Sequence, residues 1–318
     1  MNIRRGSWIV FGILLACLGC NQFPVEIKEK VLYLPPENLS AQRVVLPPLE
    51  NGFAQVRIVL STLPDGSVPL DLIRIPPGTF RMGLTEQEIT DNLKQDETMT
   101  PHEVHLTKPF FLGKYEVTQA QFQAVMGVNP AAFPTHPDNP VEEINYHYTL
   151  MFIEKMNELG VGTFRLPTEA EWEYACRAGT TTRFSFGDAP DCVRKKWSAL
   201  GDQYMWWGGN LETAMRGPMP VGKKQPNPWG LFDMHGNCYE WCSDYFRPYP
   251  SPPQTDPQGS EKPGARVFRS GPWNGEAEWC QSGRRNWTSP NNAYHWLGLR
   301  LVLEAEEEGE ERKDRQDG

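Results

Sequence analysis

The densest set of chemistry-bearing side chains lies between Trp229 and Phe246, where Asp233 and Glu240 flank a Gly236-Asn237 turn and aromatic residues fill many of the other positions. Two carboxylates at such a turn allow two readings: acids neutralised by partners within a buried hairpin, or oxygen donors for a hard cation such as calcium. Composition favours the first. In the same stretch Cys238 and Cys242 would share a face of a helix. The alternating aromatics read instead as a strand or bulged loop, which sets the two sulfurs about 13 Å apart and argues against a metal-thiolate site. His102 and His105 fall in an alternating segment, and a spacing of three puts the imidazoles on opposite faces, against joint ligation. The remaining candidates are Arg284, Arg285, Arg300, His235 and Glu278. The late arginines can bind an anionic or peptide ligand or pair with the chain's many acids, and both readings stay open.

Elements able to position these groups are legible in places. Leu72–Ile75 and Thr79–Met82 read as strands joined by a Pro-Pro-Gly turn. Thr118 and Gln121 form a capping box for a helix to about Met126, and Leu150, Met151, Ile153 and Met156 recur at near-helical spacing in a second helix over Tyr146–Leu159. The clearest signal is Arg165 to Gly179. Thr168 is an N-cap with Glu171 at the third helical position, Glu169 and Glu171 suit the positive helix end, and Gly179 closes the helix. Trp172, Ala175 and Cys176 then share a buried face, and the glutamates read as caps rather than catalysts. Ala265–Arg269 and Leu297–Leu303 read as the strands of a terminal hairpin, after a Pro-rich loop over Pro248–Pro263.

The chain has 318 residues and a net charge of −9, which argues against nucleic acid as a partner. Its 11 Trp, 29 Pro and 28 Gly suggest a loop-rich fold in which large aromatics supply the buried area. Basic residues at Arg4 and Arg5 and an apolar run from Trp8 to Leu18 read as a secretory signal. Its end resembles a bacterial lipobox in two overlapping registers, ending at Cys17 or at Cys20. Cys20 has the better small residue before it and the polar Asn21 after it. The expected product is exported and lipid-anchored to the bacterial cell envelope, the N-terminal lipid being its membrane contact. The expected layout is a signal over 1–20, a tether with a strand or two over 21–69, a globular domain over 70–304, and a disordered charged tail over 305–318. Seven cysteines are too few for a disulfide scaffold, though an exported chain can form one or two bridges.

Several segments taken in order resemble the formylglycine-generating enzyme (sulfatase-modifying factor) family. They are Ile75-Pro-Pro-Gly-Thr-Phe-Arg-Met-Gly83, Tyr115-Glu-Val-Thr118, Arg165-Leu-Pro-Thr-Glu-Ala-Glu-Trp-Glu-Tyr174, Asn227 through Asn237, Glu240-Trp241 and Gly298-Leu-Arg300. The resemblance implies an α+β, C-type-lectin-like fold with much irregular structure. It also implies calcium held by the side chains of Asp233 and Glu240 and the carbonyls of Gly236 and Cys238. The family's other calcium loop would begin near Asn210, but the following stretch lacks the expected Asp, and that site is not carried over. A Cys176–Cys280 disulfide is also implied; it would close a loop of about a hundred residues and stabilise by roughly 3 to 5 kcal/mol.

The catalytic match fails. The family's oxidases hold copper(I) with two thiolates just after a Gly-Gly-Ser segment, and soft sulfur ligands are what copper(I) requires. The corresponding run here, Ser270 to Trp279, contains no Cys, and Pro272 stands where the Ser is expected. Copper is therefore not expected. Nor do the six histidines form the three-histidine iron motif of the related sulfoxide synthases. The expected role is binding of a ligand, protein or peptide, without formylglycine generation. An oxidoreductase with a different metal set or substrate is the alternative.

Overall fold

The computed structural model describes residues 36, 38–85, 88, 97–188, 198–210 and 217–305, so the expected signal, both candidate lipidation cysteines and the charged tail lie outside the described residues. The largest sheet contains six antiparallel strands: β1 (Ala41–Leu46), β2 (Gln55–Leu60), β3 (Leu70–Ile75), β6 (Phe110–Gly113), β13 (Val302–Glu304) and β7 (Phe164–Arg165), in that order across the sheet. Successive side chains of a strand point to opposite faces. Leu70, Leu72 and Phe111 accordingly join a core beneath α1 (Gln119–Met126) and α2 (Tyr146–Glu158), where Phe122 stacks on Phe152. Ile73, Ile75, Phe110 and Leu112 face the other way, onto α3 (Glu169–Arg177).

A second sheet orders β11 (Asn286–Thr288), β10 (Arg266–Arg269), β8 (Tyr239–Tyr245) and β12 (Leu297–Gly298), and a third orders β4 (Gly78–Met82), β5 (His102–Leu106) and β9 (Gln254–Thr255). A short helix, α4 (Gly201–Tyr204), precedes the Trp206-Trp207 segment. No helix among the described residues is long and apolar enough to cross a membrane.

The helix N-caps form as read, whereas the left-handed residue that closes α3 is Ala178, at φ 48°, one position before the expected Gly179. Thr118 with Gln121 and Thr168 with Glu171 each close a full capping box. In α2, however, the buried positions are Tyr146, Thr149, Phe152, Ile153 and Met156, while Leu150 and Met151 are exposed. The three expected hairpins do not form. Strand β3 pairs with β2 and β6 while β4 pairs with β5, so the Pro-Pro turn carries the chain between sheets. The late segment splits likewise: β12 runs parallel to β8, and β13 joins the six-stranded sheet beside β6 and β7. From Trp229 to Phe246 a loop leads into the single strand β8, whose partners are β10 and β12. Strand β5 does alternate as expected, with His102 buried and His105 exposed.

Candidate functional site

Glu240 leaves β8 into the space between the two larger sheets, where the residues from Leu299 to Leu301 carry the chain from β12 to β13. Arg300 sits on that crossing. Its Nε and Nη2 donate to the Glu240 carboxylate at 2.7 to 3.1 Å, Nη1 donates to the Gly113 carbonyl at 3.0 Å, and Nη2 also donates to the Phe232 carbonyl at 2.9 Å. Trp172 of α3 adds an indole N–H to Glu240 Oε2 at 2.6 Å. Both charged partners have no exposed surface.

Two further acids lie beside this pair. Asp233, in the left-handed region at φ 57°, accepts the Gly222 N–H on Oδ2 at 2.7 Å, and its buried Oδ1 has no hydrogen-bond partner. Glu116, just beyond β6, accepts the Cys238 N–H and an Asn237 side-chain N–H. Burial pushes Asp233 up to about 6, and burial together with the charges of Asp233 and Glu240 holds Glu116 well above the usual carboxylate range. Three acids thus face one guanidinium bonded into the group. Gly236 shapes the turn between them: a Cβ there would lie 2.1 Å from the Trp206 carbonyl oxygen.

The Ser270–Cys280 run folds against the same loop. Ser270 Oγ donates to the Gly236 carbonyl at 3.0 Å and the Trp273 N–H to the Asn237 carbonyl at 2.7 Å. Cys280 ends a 3-10 turn, fully buried against Gly271, where any Cβ would lie 2.4 Å from the sulfur. Cys176, Cys238, Cys242 and Cys280 are all buried, and no two of them are bridged. The implied Cys176–Cys280 bridge is not formed. Cys176 Sγ instead packs against the His235 ring at 3.8 Å, while His235 Nδ1 lies 2.8 Å from the Cys280 carbonyl oxygen. Since the Ser185 N–H donates to His235 Nε2 at 3.1 Å, that nitrogen is the acceptor and Nδ1 carries the proton. Burial lowers His235 to about 4 and raises Cys176 to about 12, so this cluster is neutral and closed.

The late arginines also settle. Arg285 is buried, donating to Glu169 Oε2 at 2.5 Å and to the Arg247 and Thr98 carbonyls. Arg269 bonds Glu169 and Glu173, and Arg177 bonds Glu173 at 2.8 Å. Arg284 is partly exposed. The even choice left by the sequence therefore resolves to structural pairing for Arg285 and Arg300. Burial beside carboxylates spends these two guanidinium groups on the protein's own acids and carbonyls.

The sulfatase-modifying factor enzyme 1-like domain model matches residues 61–305. The chain belongs to that family. A formylglycine-generating enzyme of Bos taurus is 26% identical over 301 residues, covering 75% of this chain and 76% of that protein. The chaperone protein LppX of Paenibacillus barcinonensis is 28% identical over 237 residues, covering 61% and 78%. Among solved structures, Treponema denticola variable protein 1 superposes with a TM-score of 0.64 at 28% identity, covering 76% of this chain and 97% of that one. The mixed sheets and helices are thus those of the C-type-lectin-like family fold.

For this sulfatase-modifying-factor domain, the family's calcium position meets a mixed donor set. The partnerless Asp233 Oδ1 and the local excess of acid suit a divalent cation. Glu240 is already held by Arg300 and Trp172, and the Gly236 carbonyl by Ser270. Among the described residues no three His, Cys, Asp or Glu side chains form a metal-binding group, so main-chain carbonyls would have to complete the shell. Thiolate chemistry is disfavoured at both Cys238 and Cys242, whose thiols burial pushes well above their ordinary range. Sequence reasoning missed Glu116 although its motif, Tyr115-Glu-Val-Thr118, was in view; a glutamate after a strand carries no mark of the loop it will meet.

Proposed function

We propose that this chain is an exported, lipid-anchored member of the sulfatase-modifying-factor family that binds a ligand, protein or peptide and does not generate formylglycine. The observation that carries the reading is the run from Ser270 to Trp279, which has no cysteine and leads into a Cys280 with no exposed surface. Copper(I) oxidation of a substrate thiol needs two reachable thiolates, and this position offers none. A relative named as a chaperone is compatible with a binding role. Cys20, or Cys17 in the alternative register, is the proposed lipid attachment. A calcium ion at Asp233, sharing Glu240 and the Gly236 and Cys238 carbonyls, is proposed as a structural ion. It would tie the Asp233–Glu240 loop to β8.

The test incubates the purified protein with a cysteine-containing sulfatase-motif peptide, copper(I) and oxygen, alongside metal analysis of the protein as isolated. No peptide aldehyde, and neither copper nor iron at stoichiometric level, is expected. Aldehyde, or copper or iron at one per chain, would overturn the reading in favour of an oxidoreductase.

A further inference from the structure

A cavity of about 510 Å³ lies away from the carboxylate cluster, between β4 and the end of α3. One wall is aromatic. Phe80 and Tyr174 stand 5.3 Å apart and Tyr174 and Trp229 4.9 Å apart, ring centre to ring centre. The rim carries Arg81, Thr181 and Asp188. Arg177 also lines the cavity, but its guanidinium is spent on Glu173 and on the Gly83 and Thr182 carbonyls.

Two features show what kind of molecule fits. Tyr174 is only 8% exposed, yet neither its hydroxyl nor the Trp229 indole N–H bonds to a described residue, although both side chains line the space. A purely apolar occupant would cover these groups without bonding them, which disfavours it. Among the described residues the rim carries one guanidinium, Arg81, and one carboxylate, Asp188, whose Oδ1 already accepts the Arg183 N–H at 3.1 Å, so neither charge is in excess there. What remains is a neutral molecule with an apolar face for the aromatic rings and an edge of groups that both donate and accept hydrogen bonds. A pyranose has that surface: its axial C–H bonds form the face and its hydroxyls the edge. The cavity is also within the size range of sites that enclose small ligands.

We propose that this cavity binds a neutral sugar ring of a glycan. Trp229, Tyr174 and Phe80 contact the ring, and Asp188, Arg81 and Thr181 take its hydroxyls. The inference rests on the reading of the chain as a binding module and names its ligand class.

The test is saturation-transfer NMR on the full-length chain with glucose, galactose, mannose, N-acetylglucosamine, maltose and cellobiose, and with N-acetyl-phenylalanine amide as the peptide-like competitor. At least one sugar should receive saturation through its ring C–H protons. Trp229→Ala should weaken that affinity roughly fivefold or more, the worth of one aromatic contact. Trp287→Ala, which removes an exposed tryptophan outside this cavity, should leave it unchanged. If Trp229→Ala does not fold, Asp188→Asn and Thr181→Val, both at exposed positions, carry the same expectation. Absence of transfer to every sugar, equal transfer in the variants, or binding of the phenylalanine amide alone would overturn the proposal. Those results would leave the peptide-aldehyde test untouched, and an aldehyde would leave the sugar result standing.

Discussion

At the scale of residues, burial decides which charged groups are structural. Arg300 and Glu240 each have no exposed surface, so removing one strands the other. Arg300→Ala should destabilise by about 3 to 5 kcal/mol in urea unfolding. Arg284→Ala, at a partly exposed position, should stay within about 0.5 kcal/mol. Protonation gives a second prediction. Burial raises Asp244 to about 7 and Glu142 to about 7, with the charge of Glu169 adding to the rise at Asp244. Both carboxyls hold their proton more tightly when folded than when unfolded. Their contribution is therefore complete below about pH 4 and is lost as pH rises through 7. Melting temperatures in a chelating buffer should fall between pH 5 and pH 8, and Asp244→Asn should flatten that fall. At the Asp233 position, calcium should raise the melting temperature of the wild type and have no effect on Asp233→Ala.

At the scale of elements, what could be read from the sequence follows the range of the interaction. Both capping boxes lie within four residues of chain, and both form as expected. Thr168→Ala should cost about 1 kcal/mol, measured by the same unfolding assay, because α3 then loses the bond to its third residue. The face of α2 was less legible. Apolar spacing singled out Leu150 and Met151, but the face is set by Phe152 stacking on Phe122 and by Tyr146 against Trp241, contacts that join distant segments. Phe152→Ala should therefore cost about 3 to 5 kcal/mol, and Leu150→Lys or Met151→Lys almost nothing. The misread hairpins have a related cause. Strands adjacent in sequence often pair, and the turn at Pro76-Pro77 looks like a hairpin turn, but it does not specify which sheet receives the next strand.

Across the whole molecule, the six-stranded sheet begins with β1 and β2, before the matched residues 61–305. Val56, Ile58 and Leu60 of β2 are buried in the main core. Deleting residues 36–60 should expose the edge of β3 and yield aggregated protein on size-exclusion chromatography, where the full-length chain elutes as a folded species. The amino-acid order by itself determined the ordered motif set, and with it the family, together with the helix N-caps, the opposed faces of His102 and His105, and the absence of cysteine from Ser270 to Trp279. Each depends on residue identity or on neighbours a few positions apart. Only the tertiary structure decided that Arg285 and Arg300 are consumed by buried acids, that Glu116 joins Asp233 and Glu240, and that Phe80, Tyr174 and Trp229 wall one cavity. Those groups are separated by tens to hundreds of residues, and their charge and accessibility are set by burial between sheets, a property no local stretch of the chain possesses.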